Sequence, residues 1–295
     1  MSDQSETAQL QDIMGGRERI EEAVLDHGFV ALVDLMPRLV PVGSTADYAI
    51  AQAARTSYGR GTKKLNEDEG LIRYLMRHKH TTPFEFCELK FHVRMPIFVA
   101  RQWIRHRTAS VNEYSARYSI VPDQFYIPRS EHVQEQSMAN KQGRGDHSGP
   151  EAAADFVEVC MDTGREAYSR YQGAVDANIA RELARIVLPV NAYTEWYWKC
   201  NLHNLFHFLR LRMDPHAQME IRVYAEAMYR LIKPFFPIAC QAFEDYRLNS
   251  VELSALEVEA LHSGSDINSP NRREREEWEA KRLLMSVSKS APSVV

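Results

Sequence analysis

Few cysteines, no long apolar run and no surplus of positive charge mark this 295-residue chain, and each absence removes a class of protein. Cys87, Cys160, Cys200 and Cys240 stand far apart with no CxxC pair, which excludes a disulfide framework and makes a reducing, cytoplasmic setting the default. No apolar stretch reaches the roughly 18–20 residues of a membrane span, and no signal segment is evident. Lys and Arg number 36 against 40 Asp and Glu, a net charge of −4, which argues against a general nucleic-acid or membrane-surface binder. A GxGxxG dinucleotide fingerprint and internal repeats are also missing. What remains, at 44% hydrophobic residues, can bury a sizeable core in one large or two small domains.

Against that acidic background, one stretch concentrates cations. Between Arg101 and Ser119, Arg101, Arg105, Arg107 and Arg117 face one acid, Glu113, and are interleaved with Gln102, Ser110, Asn112 and Ser115. Guanidinium forks bind phosphate bidentately, and neutral donors and acceptors at fixed positions read shape, so the mixture points to a small phosphorylated ligand.

Hydrophobic periodicity places this stretch on a mixed α+β frame. Residues 17–25 have the composition of a short helix, and Phe29 to Met36 reads as a strand. Ala46 to Arg55 and Asn66 to His78 read as helices, the latter burying Leu71, Ile72, Leu75 and Met76 and leaving Arg73, Arg77 and Lys79 in solvent. Phe86 to Met95 alternates cleanly, as a half-buried antiparallel strand does, and Pro96 opens a helix that puts Gln102 and Arg105, and Arg101 and Arg105, on one face. Tyr118 to Ile127 reads as extended, and the polar loop that ends at Pro150 as mobile. Glu151 to Tyr171 is an amphipathic helix with Phe156, Val157, Cys160, Ala167, Tyr168 and Tyr171 inward. Ile179 to Leu188 is a helix stopped by Pro189, and Tyr193 to Cys200 is a strand. Asn201 suits the cap of the next helix, which turns Leu202, Leu205, Phe206 and Leu209 inward and His203, His207 and Arg210 elsewhere. A helix from Met219 to Ala242 is interrupted at Pro234 and Pro237, and a charged helix spans Asn271 to Leu284.

The segment Arg105-His106-Arg107, seven residues, then Ser115, in the longer form RHRxxSxNExSxR, resembles the signature of the flavin-dependent thymidylate synthases, the ThyX family. The resemblance extends through His80 to Glu85, Pro96 to Trp103, Ala184 to Pro189 and Leu211-Arg212, and covers roughly residues 28–245. It implies a ThyX-like fold with a mainly antiparallel sheet, bounded as an N-terminal extension (1–25), a catalytic domain (26–248) and a C-terminal extension (249–295). It further implies a cytoplasmic homotetramer that methylates dUMP to dTMP with methylenetetrahydrofolate as carbon donor and FAD reduced by NADPH, without nucleic acid, membrane or metal.

Carried over residue by residue, the family's nucleotide contacts fall on Gln102, Arg105, Glu113, Tyr114, Ser115, Ala116, Arg117, Arg185 and Arg212. Its FAD contacts fall on Thr82, Arg105, His106, Arg107, Glu113, Asn201, His203 and His207. Arg212 takes the catalytic role, because a guanidinium beside the uracil favours the anionic ring and its nucleophilic C5. His203 and His207 stand where some members carry arginine and asparagine, which makes the charge there sensitive to pH. Ser57, His80 and Tyr118 are further candidates for folate or flavin. No cysteine lies in the basic cluster, so cysteine addition to the ring is not expected and a cofactor carries the redox chemistry. Two rivals are weaker. His203 with His207, and His216 with Glu220, have the spacing of zinc ligands, but the glutamate of HExxH is missing. An RNA-binding module would want aromatic platforms and a basic excess.

Overall fold

The computed structural model describes residues 19–56, 68–138 and 143–287. Ser57 and the Tyr58 to Gly61 loop lie outside the described residues. The chain divides into two compact units, Met1–Leu248 and Asn249–Val295.

The first unit is built on an antiparallel sheet of five strands: β1 (Ile20–Val24), β2 (Gly28–Met36), β3 (Glu88–Pro96), β4 (Ser110–Glu113) and a long strand, Tyr193–Asn201. A two-stranded hairpin, β5 (Gln134–Gln136) with β6 (Arg144–His147), stands apart, which makes Tyr193–Asn201 β7. The order in the large sheet is β1-β2-β3-β7-β4. On β3, Leu89, Phe91, Val93 and Met95 are buried, as their alternation requires. In register across from them on β7 stand Cys200, Trp198, Trp196 and Thr194, so the paired strands present one continuous buried face.

Eleven helices lie among the described residues: α1 (Asp47–Arg55), α2 (Asp68–Arg77), α3 (Thr82–Glu85), α4 (Ile97–Trp103), α5 (Pro150–Asp176), α6 (Arg181–Ala184), α7 (Leu202–Arg212), α8 (Met219–Ile232), α9 (Pro237–Phe243), α10 (Ala255–Ser263) and α11 (Arg272–Val287). Trp103 of α4 locks three elements together, packing on Trp196 and Trp198 of β7, Phe208 of α7 and Tyr224 of α8. Asn201 caps α7 by accepting from Asn204 N at 2.9 Å. The end of α4 and the helix α7 are thereby held against one patch of β7, the strand with which β4 pairs at the sheet edge.

Six expectations need correction. Residues 20–24 form strand β1, paired along its length with β2; a partner strand overrides the helical preference of Glu and Ala. Residues 118–127 pair only through an isolated bridge, Phe125 with Ala192. The loop ending at Pro150 contains strand β6, and Pro150 itself opens α5. On α5, Ala153, Gly164 and Tyr171 are buried, whereas Phe156 is half exposed and Ile179, Leu183 and Ile186 beyond it are also exposed. The Ile179 to Leu188 helix shortens to α6 plus a single 3₁₀ turn. Arg73, expected in solvent, pairs with Asp245 at 2.7 Å and lies over the Tyr246 ring.

The second unit packs Trp278 of α11 with Ala260 and Ile267, and Ser254 with Glu257 forms a capping box at the start of α10.

Candidate active site

Strand β7 ends at Asn201, and the chain turns directly into α7, while α4 ends at Trp103 and hands the chain to the Arg105-His106-Arg107 segment. Both ends meet at a cavity of about 510 Å³ lined by Arg105, His106, Arg107, Thr108, Trp198, Asn204, His207, Leu211 and Arg212. No carboxylate and no cysteine is among these residues.

Within it, Arg212 Nε donates to His106 Nε2 at 3.1 Å, and Arg212 Nη2 donates to the Gln102 carbonyl at 3.4 Å. Burial, then the neighbouring Arg212 and His207, pushes the His106 pKa down to about 4, so the imidazole is neutral at pH 7 with its proton on Nδ1. Burial also lowers Arg212. A guanidinium taken partly out of water has more to gain from an anionic partner.

A second cavity of about 220 Å³ shares His207 and adds His80, Thr81, Phe84, His203 and Arg210. Burial holds His203 below its ordinary value against the opposing pull of Glu85. Thr82 is exposed in the first turn of α3 beside Thr81, and Asn201 commits its side-chain oxygen to the α7 cap.

A third cavity of about 330 Å³ gathers Glu113, Tyr114, Ser115, Ala116 and Arg185. There Glu113 accepts from Thr194 Oγ1 at 2.6 Å, and the Tyr114 hydroxyl donates to the Ile120 carbonyl at 2.9 Å. Arg117 is exposed, with its guanidinium 5.4 Å from the centre of the exposed Tyr118 ring. The nucleotide residues named from sequence are thus divided. Arg105 and Arg212 line one cavity, and Glu113 to Ala116 with Arg185 line another.

Sequence reasoning missed the support behind Gln102. Its Nε2 donates to Gln218 Oε1; Gln218 Nε2 donates to Glu220 Oε2 at 2.9 Å; and Glu220 is paired with Arg144 at 2.6 Å. Gln218 and Glu220 are more than a hundred residues from Gln102 in the chain, and no spacing rule joins them. Glu220, weighed from sequence as a metal-type partner of His216, instead faces Arg144. Among the described residues, no three His, Cys, Asp or Glu side chains converge as a metal site would require.

All four cysteines are free, and burial raises each thiol, that of Cys87 to about 12 with a further push from Asp47. No helix among the described residues is long and apolar enough to cross a membrane.

The family model described as "Thymidylate synthase complementing protein" matches residues 38–238. The flavin-dependent thymidylate synthase of Dictyostelium discoideum is 58% identical over 93% of this chain and 90% of its own length, and that of Ruegeria pomeroyi is 59% identical over 81% and 78%. Among solved structures, the UMP/dUMP methylase PolB of Streptomyces cacaoi bound with 5-Br dUMP superposes with a TM-score of 0.67. It is 34% identical over 77% of this chain and 99% of that chain. With a family match across most of the first unit and relatives this similar over 78–90% of their own length, the chain belongs to the flavin-dependent thymidylate synthase family.

Proposed function

We propose that the protein converts dUMP to dTMP, taking the one-carbon unit from 5,10-methylenetetrahydrofolate and reducing it with FAD that NADPH has reduced, and that no cysteine attacks the ring. The observation that carries this reading is the cavity walled by Arg105, His106, Arg107, His207 and Arg212 with no acid or thiol among its lining residues.

The donor set fits a flavin dinucleotide. Arg105 and Arg107 supply charge-assisted bonds for a pyrophosphate, and neutral His106 offers Nδ1–H to a ring carbonyl. The indole N–H of Trp198, also in the cavity wall, is buried without a protein partner. Thr82, Glu113, Asn201, His203 and His207 complete the flavin set. When bound, FAD supplies the hydride that side chains cannot.

For the nucleotide, Arg117 and Arg185 serve the phosphate, Ser115 and the Ala116 backbone orient it, and Tyr114 and Gln102 flank it. Arg212 stabilises negative charge on the uracil, which makes C5 nucleophilic without a covalent enzyme adduct. The raised thiols support this route, since a protonated cysteine is a poor nucleophile.

The working unit in this reading is a homotetramer whose sites combine the Arg212 cavity of one subunit with the Arg185 cavity of another. Two features support it. The nucleotide residues divide between two cavities of one chain. The ground around Arg185 is apolar and uncovered, with Leu183, Ile186, Val187 and Val190 exposed, and all four residues of edge strand β4 are exposed. A cytoplasmic location goes with the free thiols.

An absorbance spectrum of the purified protein, followed by NADPH oxidation with and without dUMP, tests the reading. Flavin bands and oxidation that quickens with dUMP are expected; stoichiometric zinc without flavin would sink it.

A further inference from the structure

We infer that Glu220, acting through Gln218, fixes the side-chain amide of Gln102 with its carbonyl oxygen turned to the nucleotide, so that Gln218 and Glu220 are positioning residues for substrate recognition. The inference rests on the reading of Gln102 as a nucleotide contact.

Glu220 stands in the first turn of α8 and is 2% exposed. Arg144 Nη2 from β6 lies 2.6 Å from both of its oxygens, the Tyr126 hydroxyl donates to Oε1 at 3.0 Å, and Gln218 Nε2 donates to Oε2 at 2.9 Å. Burial alone would push this carboxyl up, but the bonds from Arg144 and Gln218 outweigh it and hold the group below its ordinary value. It is therefore a carboxylate, which accepts and cannot donate.

That restriction propagates. Gln218 must turn Nε2 toward Glu220, which leaves its Oε1 facing Gln102. Gln102 must then offer Nε2 to Gln218, which points its own Oε1 away from the relay. Among the described residues Gln102 Oε1 has no hydrogen-bond partner. An isolated glutamine presents either end of its amide to a ligand. This one presents an acceptor, because flipping it would set its carbonyl oxygen against that of Gln218. An acceptor selects a donor: the imide N–H of the base or a sugar hydroxyl.

Two further contacts place the relay usefully. The Gln102 backbone carbonyl accepts from Arg212, so the residue whose amide is oriented is tied to the proposed catalytic arginine. Arg144 comes from the β5–β6 hairpin, which gives that hairpin a part in the site although it lines neither arginine cavity.

The test is a double-mutant cycle on the flavin-loaded enzyme, with dUMP affinity read by titration calorimetry and folding checked by thermal melting without dUMP. Gln218→Met keeps length and removes the relay, and Gln102→Met removes its end point. Gln102→Met should weaken dUMP about tenfold, the worth of one hydrogen bond to a ligand; Gln218→Met, which leaves the Gln102 amide free to turn, should weaken it by a smaller factor of about three; and the double variant should bind no more weakly than Gln102→Met alone. The wild type should also lose affinity for either N3-methyl dUMP or 2′,3′-dideoxyuridine 5′-phosphate, naming the donor, and Gln218→Met should lose that discrimination. Additive losses, an unchanged affinity in Gln218→Met, or a wild type indifferent to both analogues would overturn the inference. Wild-type dUMP affinity in Gln102→Met would overturn it together with the reading beneath it. Should Gln218→Met melt early, Glu220→Gln, which keeps the shape and frees the amide polarity, is expected to show the same loss of discrimination, and a wild-type response would count against the relay.

Discussion

Arg212 Nε and His106 Nε2 are joined by a hydrogen bond of 3.1 Å, and Arg212 Nη1 has no hydrogen bond among the described residues. A neutral imidazole thus holds the guanidinium from one side and leaves a donor for a ligand. Arg212→Ala should lower the single-turnover rate of dTMP formation by about 10²–10³-fold at saturating dUMP, while flavin reduction by NADPH continues. Arg212→Lys should recover part of the rate, since it keeps the charge and loses the planar fork. A normal single-turnover rate in Arg212→Ala would leave the residue as one nucleotide contact among several.

His106 also makes a pH prediction. Its pKa falls from 6.5 to about 4 on folding, so between these values the unfolded chain binds more protons and stability rises with pH. The contribution is complete above 6.5 and is lost as pH falls toward 4. Denaturant midpoints measured across this window should fall more steeply for the wild type than for His106→Gln; parallel curves would contradict the assignment.

Arg117→Ala and Arg185→Ala should each weaken dUMP by about ten- to a hundred-fold, the worth of one charge-assisted contact to phosphate. Because Arg105 and Arg185 line different cavities, mixing inactive Arg105→Ala and Arg185→Ala subunits should restore part of the activity after exchange. No recovery in assemblies shown to have exchanged subunits would mean that one chain supplies both residues.

Much of this frame was legible in the sequence because its signals are local. The alternation of Leu89, Phe91, Val93 and Met95 marked β3, and Asn201 before an apolar-periodic run marked the capped start of α7. Arg105, His106 and Arg107 stood out through charge and motif. What escaped depends on partners distant in the chain. Ile20 to Val24 is a strand only because β2 lies beside it, and Phe156 is half exposed although its spacing puts it on the apolar side of α5. Gln218 carried no signal, since its role comes from Gln102 and Glu220 meeting in space.

Away from the site, Asp47 is 1% exposed and accepts from Ile238 N and Ala239 N, both at 2.9 Å, and from Thr45 Oγ1 at 3.0 Å. Asp47→Ala strands the two backbone donors at the start of α9 and should cost about 1–3 kcal/mol, read as a lower melting temperature. Burial raises the carboxyl from 3.8 to about 6 despite these bonds. The wild type's advantage over Asp47→Asn should therefore be largest below 3.8 and shrink as pH rises through about 6, the opposite slope to that of His106.

In the proposed reaction, reduced flavin, and not the folate ring, provides the hydride that completes the methyl group. Electron balance makes this visible in the second product: folate that donates only its carbon leaves as tetrahydrofolate, and folate that also donates hydride leaves as dihydrofolate. Chromatography of a reaction containing dUMP, methylenetetrahydrofolate and the NADPH-reduced enzyme should find tetrahydrofolate equal to the dTMP formed. Dihydrofolate in that ratio, or dTMP formed at full rate without NADPH over many turnovers, would contradict the account.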